Sequence, residues 1–216
     1  MGNSKLSEHV YSTLKSRILK GGISSNNKFT EQELSKEFGI SRTPVREALR
    51  QLAEEGIIDL LFNRGAYLKR ITSKDIEEIY DIRKSLESFA ITKAAGKITK
   101  LVLASIKKQL ILCETIKNNH VRFQAFIQSD KMLHKTIIDL CGNTRLQKIL
   151  ENLYYIIDSF RVLDARVVLR LEESHKEHKL IYKSLVNKDA VAAKKLMEMH
   201  IENAKQNLLT DFKING

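Results

Sequence analysis

Apolar residues recur at intervals of three and four along most of this chain, which is the helical period. Val10, Leu14, Ile18 and Leu19 predict a first helix, closed by Gly21-Gly22. Thr30-Glu31-Gln32-Glu33 has the form of a capping box, with Thr30 capping the chain start and Glu33 reaching back to it. The short helix it opens stops at Gly39, a residue suited to the left-handed cap position. Ser41-Arg42-Thr43-Pro44 begins another helix, with Pro44 tolerated in the first turn, where its missing N–H costs nothing. Val45, Ala48, Leu49 and Leu52 share one face of that helix, and Gly56 ends it. Extended pieces at 57–61 and 66–70 follow, joined by Phe62-Asn63-Arg64-Gly65, and predict a β-hairpin. Helix, helix, four-residue turn at 38–41, helix and hairpin is the order of a winged helix-turn-helix.

From Thr72 onward the pattern is helical throughout. A helix capped at Thr72 or Ser73 runs to about Ala95, and further helices are predicted over roughly 100–118, 121–141, 144–163, 167–187 and 189–209. Six helices joined by short loops imply an antiparallel bundle. The expected fold is mainly α: a winged helix-turn-helix over residues 1–72 and an all-α bundle of six helices over 73–216.

Composition narrows this further. A 43% hydrophobic share among 216 residues excludes a disordered chain, and one proline with nine glycines argues against a loop-rich β fold. Charges interrupt each apolar run before the ~18 residues of a membrane span, and the first 20 residues lack a signal-peptide core. A cytoplasmic, nucleoid-associated protein with no membrane partner is expected. Cys113 and Cys141 read as small buried hydrophobes and not as a disulfide. The formal charge of +11 suggests an anionic partner. Residues 1–73 hold 12 basic and 8 acidic side chains, a net +4, so most of the excess lies on the bundle.

The second helix of a helix-turn-helix places its N-terminal residues against base edges in the major groove. Here those residues are Arg42, Thr43 and Arg46, with Arg50 one turn on. Arg46 and Arg50 share a face opposite the apolar stripe, where arginine can bond guanine bidentately or grip phosphate. A solvated helix face is the alternative for the arginines taken alone. The run Ser41-Arg42-Thr43-Pro44-Val45-Arg46-Glu47-Ala48-Leu49, with Glu55-Gly56 and Asn63-Arg64-Gly65, closely resembles the DNA-binding domain of GntR-family transcription regulators. The resemblance covers about residues 6–71 and implies an interface with double-stranded operator DNA that includes Arg42, Thr43, Arg46 and the wing at Arg64 and Gly65. Gln32 stands where the best-studied branch of the family has a DNA-contacting arginine, and can itself bond a base or phosphate.

Asp130 and His134 are four residues apart on one predicted helix and share a face. His178 and His200 lie on consecutive helices, ~15 and ~18 Å from the turn near Lys188, and are nearly level if those helices are antiparallel. One carboxylate and three imidazoles suit a borderline divalent metal ion such as zinc, nickel or manganese. Scattered histidines also cap helices or face water, and His9, His120 and His175 are assigned that role. Asp130-Lys-Met-Leu-His134, Glu177-His178 with Ile181, and Asp189 leading to His200 resemble the FCD effector domain of the FadR branch, in its shorter VanR-like form. The resemblance implies that this Asp and these three His bind a metal inside the bundle, with a small carboxylate effector nearby. The family's first bundle helix carries an arginine facing the ligand, which matches Arg83; pairing of Arg83 with Glu87 is the other reading.

The expected function is thus a homodimeric transcription regulator, by default a repressor released by its organic-acid ligand. A metal-dependent enzyme using the Asp/His3 set is the alternative. His175-Lys-Glu-His178 lacks HExxH spacing, and neither a phosphate-binding loop nor a nucleophile elbow is present in the sequence.

Overall fold

A computed structural model describes residues 3–19, 28–61, 65–69, 71–161 and 167–215. The chain divides into two units, one made of residues 1–71 with 152–164 and the other of residues 72–151 with 165–216. The predictions for Gly21-Gly22, Arg64 and Arg70 fall outside the described residues.

In the first unit α1 (Asn3–Leu19) precedes a short strand β1 (Lys28–Phe29), then α2 (Glu31–Phe38) and α3 (Arg42–Glu54). Strands β2 (Ile58–Leu61) and β3 (Gly65–Leu68) complete it, and the antiparallel sheet has the order β1-β3-β2. Thr30 accepts from the Glu33 amide, and the Glu33 carboxylate accepts from the Thr30 amide, so the capping box forms in full. Gly39 closes α2 at φ 65°, in the left-handed region that favours glycine. Strand β1 is the element that periodicity did not announce: two residues carry no recurring pattern, and pairing with Tyr67 and Ala66 of β3 makes them a strand. The core joins Val10, Leu14 and Ile18 of α1 to Val45, Ala48, Leu49 and Leu52 of α3. Each of those side chains is at most 2% exposed, so the stripe predicted on α3 is the buried one. Tyr155 belongs to this core, and its hydroxyl donates to the Lys15 carbonyl at 2.7 Å.

The second unit is built from α4 (Ser73–Ala95), α5 (Lys100–Thr115), α6 (Asn119–Cys141), α8 (Val167–Val186), α9 (Ala190–Asn215) and the start of α7 (Thr144–Arg161). Thr72 caps α4 through a box with Asp75, and Thr99 and Asn118 cap α5 and α6. Gly142 ends α6 in the left-handed conformation. α4 packs against α9 and α6, and α8 against α9, α6 and α5. Cys113 and Cys141 are both buried free thiols. Among the described residues, no helix is long and apolar enough to cross a membrane.

Candidate metal centre and DNA-reading face

The interior of the helical unit brings Asp130, His134, His178 and His200 together, although α6, α8 and α9 supply them from places far apart in the chain. All four are buried, and their ligand atoms lie within 4.8 Å of one another. The Nε2 atoms of His134 and His200 are 3.1 Å apart, and those of His178 and His200 are 3.3 Å apart. Asp130 Oδ1 stands 3.5 Å from His178 Nε2 and 3.8 Å from His134 Nε2. The i,i+4 spacing puts the first two side chains on one face of α6. The turn at 187–189 folds α9 back so that His200 meets His178.

Two glutamates fix the imidazoles. The Nδ1 of His134 is hydrogen-bonded to the Glu87 carboxylate, and that of His200 to Glu177 Oε2 at 2.7 Å. A carboxylate accepts, so the Nδ1 atoms carry the protons and each Nε2 presents a lone pair to the centre. The Arg83 Nη2–H, 3.4 Å from His134 Nε2, points a donor at the same lone pair. Each glutamate is in turn held by an arginine. Arg83 donates through Nε to Glu87 Oε1 one turn along α4. Arg170 grips Glu177 with both Nη atoms at 3.0 and 2.6 Å, and Asn203 adds a bond of 2.8 Å. The site therefore contains two Arg–Glu–His chains meeting at one point.

The electrostatics suit a cation. Burial pushes His200 down to about 4 and, with help from neighbouring His200, holds His178 well below its ordinary value, so both are neutral at pH 7. Burial alone would raise the Glu177 carboxyl, but bonds from His200, Arg170 and Asn203 outweigh it and hold it down at about 2. Two Nε2 atoms buried 3.1 Å apart need a proton or a cation between them, and a metal ion bonded to both meets that need. Metal–nitrogen bonds of ~2.0–2.1 Å place two nitrogens on one ion about 3.0–3.4 Å apart, and the His134–His200 and His178–His200 spacings fall in that range. The donor set and its geometry fit a divalent ion.

Of the two sequence readings of Arg83, the pairing with Glu87 is present, and Arg83 Nη2 also lies 3.4 Å from His134 Nε2. The sequence did not single out Glu87, Glu177 or Arg170 as partners of the histidines. Arg170 and Glu177 are seven apart on α8 and so share a face, a signal that was available. The link from Glu87 to His134 joins residues 47 positions apart, and nothing in the spacing announces it. His175 departs from its expected place in water, because α8 is covered by α5 and α6 there. It is 7% exposed, packed 5.1 Å from the Phe126 ring and bonded to Glu114 at 3.3 Å. His9 and His120 are exposed as expected.

On the first unit, Gln32, Arg42, Thr43, Arg46 and Arg50 are all exposed. They lie on the side of α2 and α3 away from the core. Arg46 is bidentate to Glu31, with both N···O distances 2.8 Å, an intramolecular partner that the sequence did not suggest. Gly65 opens β3 at φ 94°, where an added Cβ would stand 2.9 Å from the Phe29 carbonyl oxygen. Only glycine allows the sheet to close there.

The comparisons agree with this architecture. Residues 6–68 match the family described as bacterial regulatory proteins, gntR family, and residues 78–203 match the FCD domain. The gluconate operon transcriptional repressor of Bacillus subtilis (strain 168) is 33% identical over 186 residues, covering 82% of this chain and 74% of the relative. The HTH-type transcriptional regulator YdhC of the same organism is 29% identical over 92% of this chain and 88% of its own. The solved structure of McbR/YncC from E. coli shares the fold, with a TM-score of 0.74 and 19% identity over 96% of this chain and 98% of that one. Relatives and matched domains are regulators and not enzymes, so the buried Asp/His cluster belongs to a regulatory domain. With both segments matched, the chain belongs to the GntR family of bacterial regulatory proteins and is a DNA-binding transcription regulator with an FCD domain.

Proposed function

We propose that this regulator is a homodimer that binds a near-palindromic operator and releases it when a small carboxylic acid enters the FCD domain beside a divalent ion. Residues 1–72 read DNA through Arg42, Thr43, Arg46, Arg50, Gln32 and the wing at Arg64 and Gly65. Residues 73–216 sense the acid. Asp130, His134, His178 and His200 hold the ion, with zinc, nickel or manganese the metals best suited to one carboxylate and three imidazoles. When bound, the ion supplies a Lewis-acidic position for a carboxylate oxygen. Arg83 puts fixed positive charge at the same place, while Glu87 and Glu177 hold the imidazoles in the ligating tautomer. The observation that carries this reading is the convergence of four buried donors within 4.8 Å. The name of the gluconate operon repressor supports repression.

A C₂ dimer presents two recognition helices to half-sites about one DNA turn apart or a multiple of it. The acid shifts the balance between DNA-binding and released states only by its difference in affinity for the two, and a near-complete switch needs ~5.5 kcal/mol. The test is a gel-shift titration of the metal-loaded protein on its own upstream DNA, with and without candidate acids, alongside elemental analysis. One equivalent of metal per chain and acid-dependent release are expected. If ~6–10 phosphates are neutralised, affinity falls ~10³–10⁵-fold between 50 and 200 mM salt. Absence of specific DNA binding under every condition rejects the regulator reading; DNA binding indifferent to metal and acids rejects the sensing mechanism.

A further inference from the structure

Two stripes run along α4 at helical spacing. Tyr80, Arg83, Glu87 and Ala90 belong to the buried one, which includes the two residues that flank His134. Beside it Ile79, Ile82, Leu86, Phe89 and Lys93 follow one another at spacings of 3, 4, 3 and 4, the repeat that keeps a seam on one side of a helix. Ile82 and Phe89 are 47% and 46% exposed, and Phe89 is the one exposed phenylalanine among the described residues. Ile79 and Leu86 are half-buried at its margin. A contiguous apolar seam rimmed by charge marks a protein contact.

The charges at the two ends of the seam say which protein. Glu77 and Glu78 stand at its N-terminal end. Lys93, whose Nζ is 5.6 Å from the centre of the Phe89 ring, stands at its C-terminal end. Glu78 pairs with Lys74 on its own helix at 3.5 Å, and exposed pairs of this kind are weak. A seam acidic at one end and basic at the other is complementary to itself when reversed. Two copies related by a twofold axis across α4 run antiparallel, and a centre near Lys84 sets Ile79 against Phe89 and Ile82 against Leu86. Glu78 of one copy then lies ~5 Å along the axis from Lys93 of the other, within reach of two long side chains. A parallel pair would instead set Glu78 on Glu78 and Lys93 on Lys93. Ser85, the polar residue beside the centre, already donates to the Asp81 carbonyl at 3.0 Å, so covering it leaves no hydroxyl unsatisfied. The exposed apolar face of α5 lacks this complementarity: Leu101, Ile111 and Leu112 stand among Lys100, Lys107 and Lys108, and two copies would repel there.

We therefore propose that two copies of this chain join along α4, antiparallel, through Ile79, Ile82, Leu86 and Phe89, with Glu78 and Lys93 paired across the axis. This inference rests on the homodimer reading above and names its interface. Because Glu87 is on the same helix, the second copy abuts the element that holds the His134 ring.

The experiment is sedimentation of the full-length protein over a range of concentrations, without DNA. The expected result is a wild-type dimer whose dissociation constant rises at least ~100-fold in Phe89→Arg and in Ile82→Arg, because each change enters the interface twice. Both positions are exposed in the single chain, so the variants should keep its far-ultraviolet dichroism. Glu78→Lys and Lys93→Glu should each weaken association ~10-fold, and the double exchange should restore it. Restoration is the signature of the antiparallel pairing, because damage to the fold would add and not cancel. A dimer indifferent to both Phe89→Arg and Ile82→Arg overturns the inference and leaves the homodimer reading standing. Single exchanges that the double exchange does not repair overturn the antiparallel pairing. A wild-type chain that is monomeric at every concentration overturns the inference and the homodimer reading together.

Discussion

His134 and His200 face each other through their Nε2 atoms at 3.1 Å, while the Nδ1 of each is tied to a glutamate. A metal ion bonded to both nitrogens suits this geometry. Chelation should therefore lower the melting temperature of the metal-loaded protein. At free metal ~100 times Kd, the bound ion stabilises by about 2.7 kcal/mol. The His200→Ala variant should melt at one temperature with or without chelator, and a chelator-sensitive variant would place the ion elsewhere.

Glu177 holds His200 at 2.7 Å and is itself held by Arg170 and Asn203. Glu177→Gln keeps the shape but removes the charge that orients the imidazole. Metal affinity measured by competition with a chromogenic chelator should fall ~10–100-fold, the usual effect of removing such a partner. Unchanged affinity would show that the Glu177 chain does not tune the ligand.

The metal-free protein should lose stability in two stages as pH falls. Burial holds His200 near 4 in the folded state, and an exposed imidazole titrates near 6.5, so the unfolded chain takes up this proton first. Stability is therefore full above about pH 6.5 and declines toward pH 4, at up to ~1.4 kcal/mol per pH unit for this histidine. His178, lowered for the same reason, acts in the same direction. Glu177 has the carboxylate form of the effect: held near 2 against an ordinary 4.5, it stabilises above 4.5 and that contribution fades toward pH 2. Urea midpoints at pH 7, 5.5 and 4 check the first stage, and a flat profile contradicts it.

Arg46 is occupied by Glu31 through two bonds of 2.8 Å, both partners partly or largely solvent-exposed. Exposed pairs are weak, so DNA can compete for the guanidinium. Arg46→Ala should cost about 1–3 kcal/mol of operator affinity if it reads a base. Glu31→Gln should leave affinity equal or higher, because it frees the arginine and removes a negative charge facing the phosphates. Weaker binding by Glu31→Gln in a gel shift would mean that the pair positions Arg46 for DNA.

Gly65→Ala forces a side chain into φ 94° and 2.9 Å from the Phe29 carbonyl oxygen. Strain of this kind costs on the order of 1–3 kcal/mol. The variant should exchange the β3 amides faster while the imidazole cluster and metal affinity stay unchanged. An undisturbed sheet would show that β1 can move away at little cost.

The local physics of this protein is legible in its residues. Caps at Thr30 and Thr72, the left-handed Gly39 and Gly142, and the apolar stripe of α3 depend on neighbours within a few positions, so helix boundaries and the buried face of α3 follow from sequence alone. Asp130 and His134 are likewise readable as a pair, because i and i+4 share a face. Tertiary structure decided what joins residues far apart: β1 pairing with β3, His175 buried under α5 and α6, and Arg46 turned to Glu31. It also decided the chemistry of the centre. Side-chain period says which way a residue points along its own helix, but not which helix faces it. The approach of Glu87 to His134 exists only once α4 and α6 are packed together.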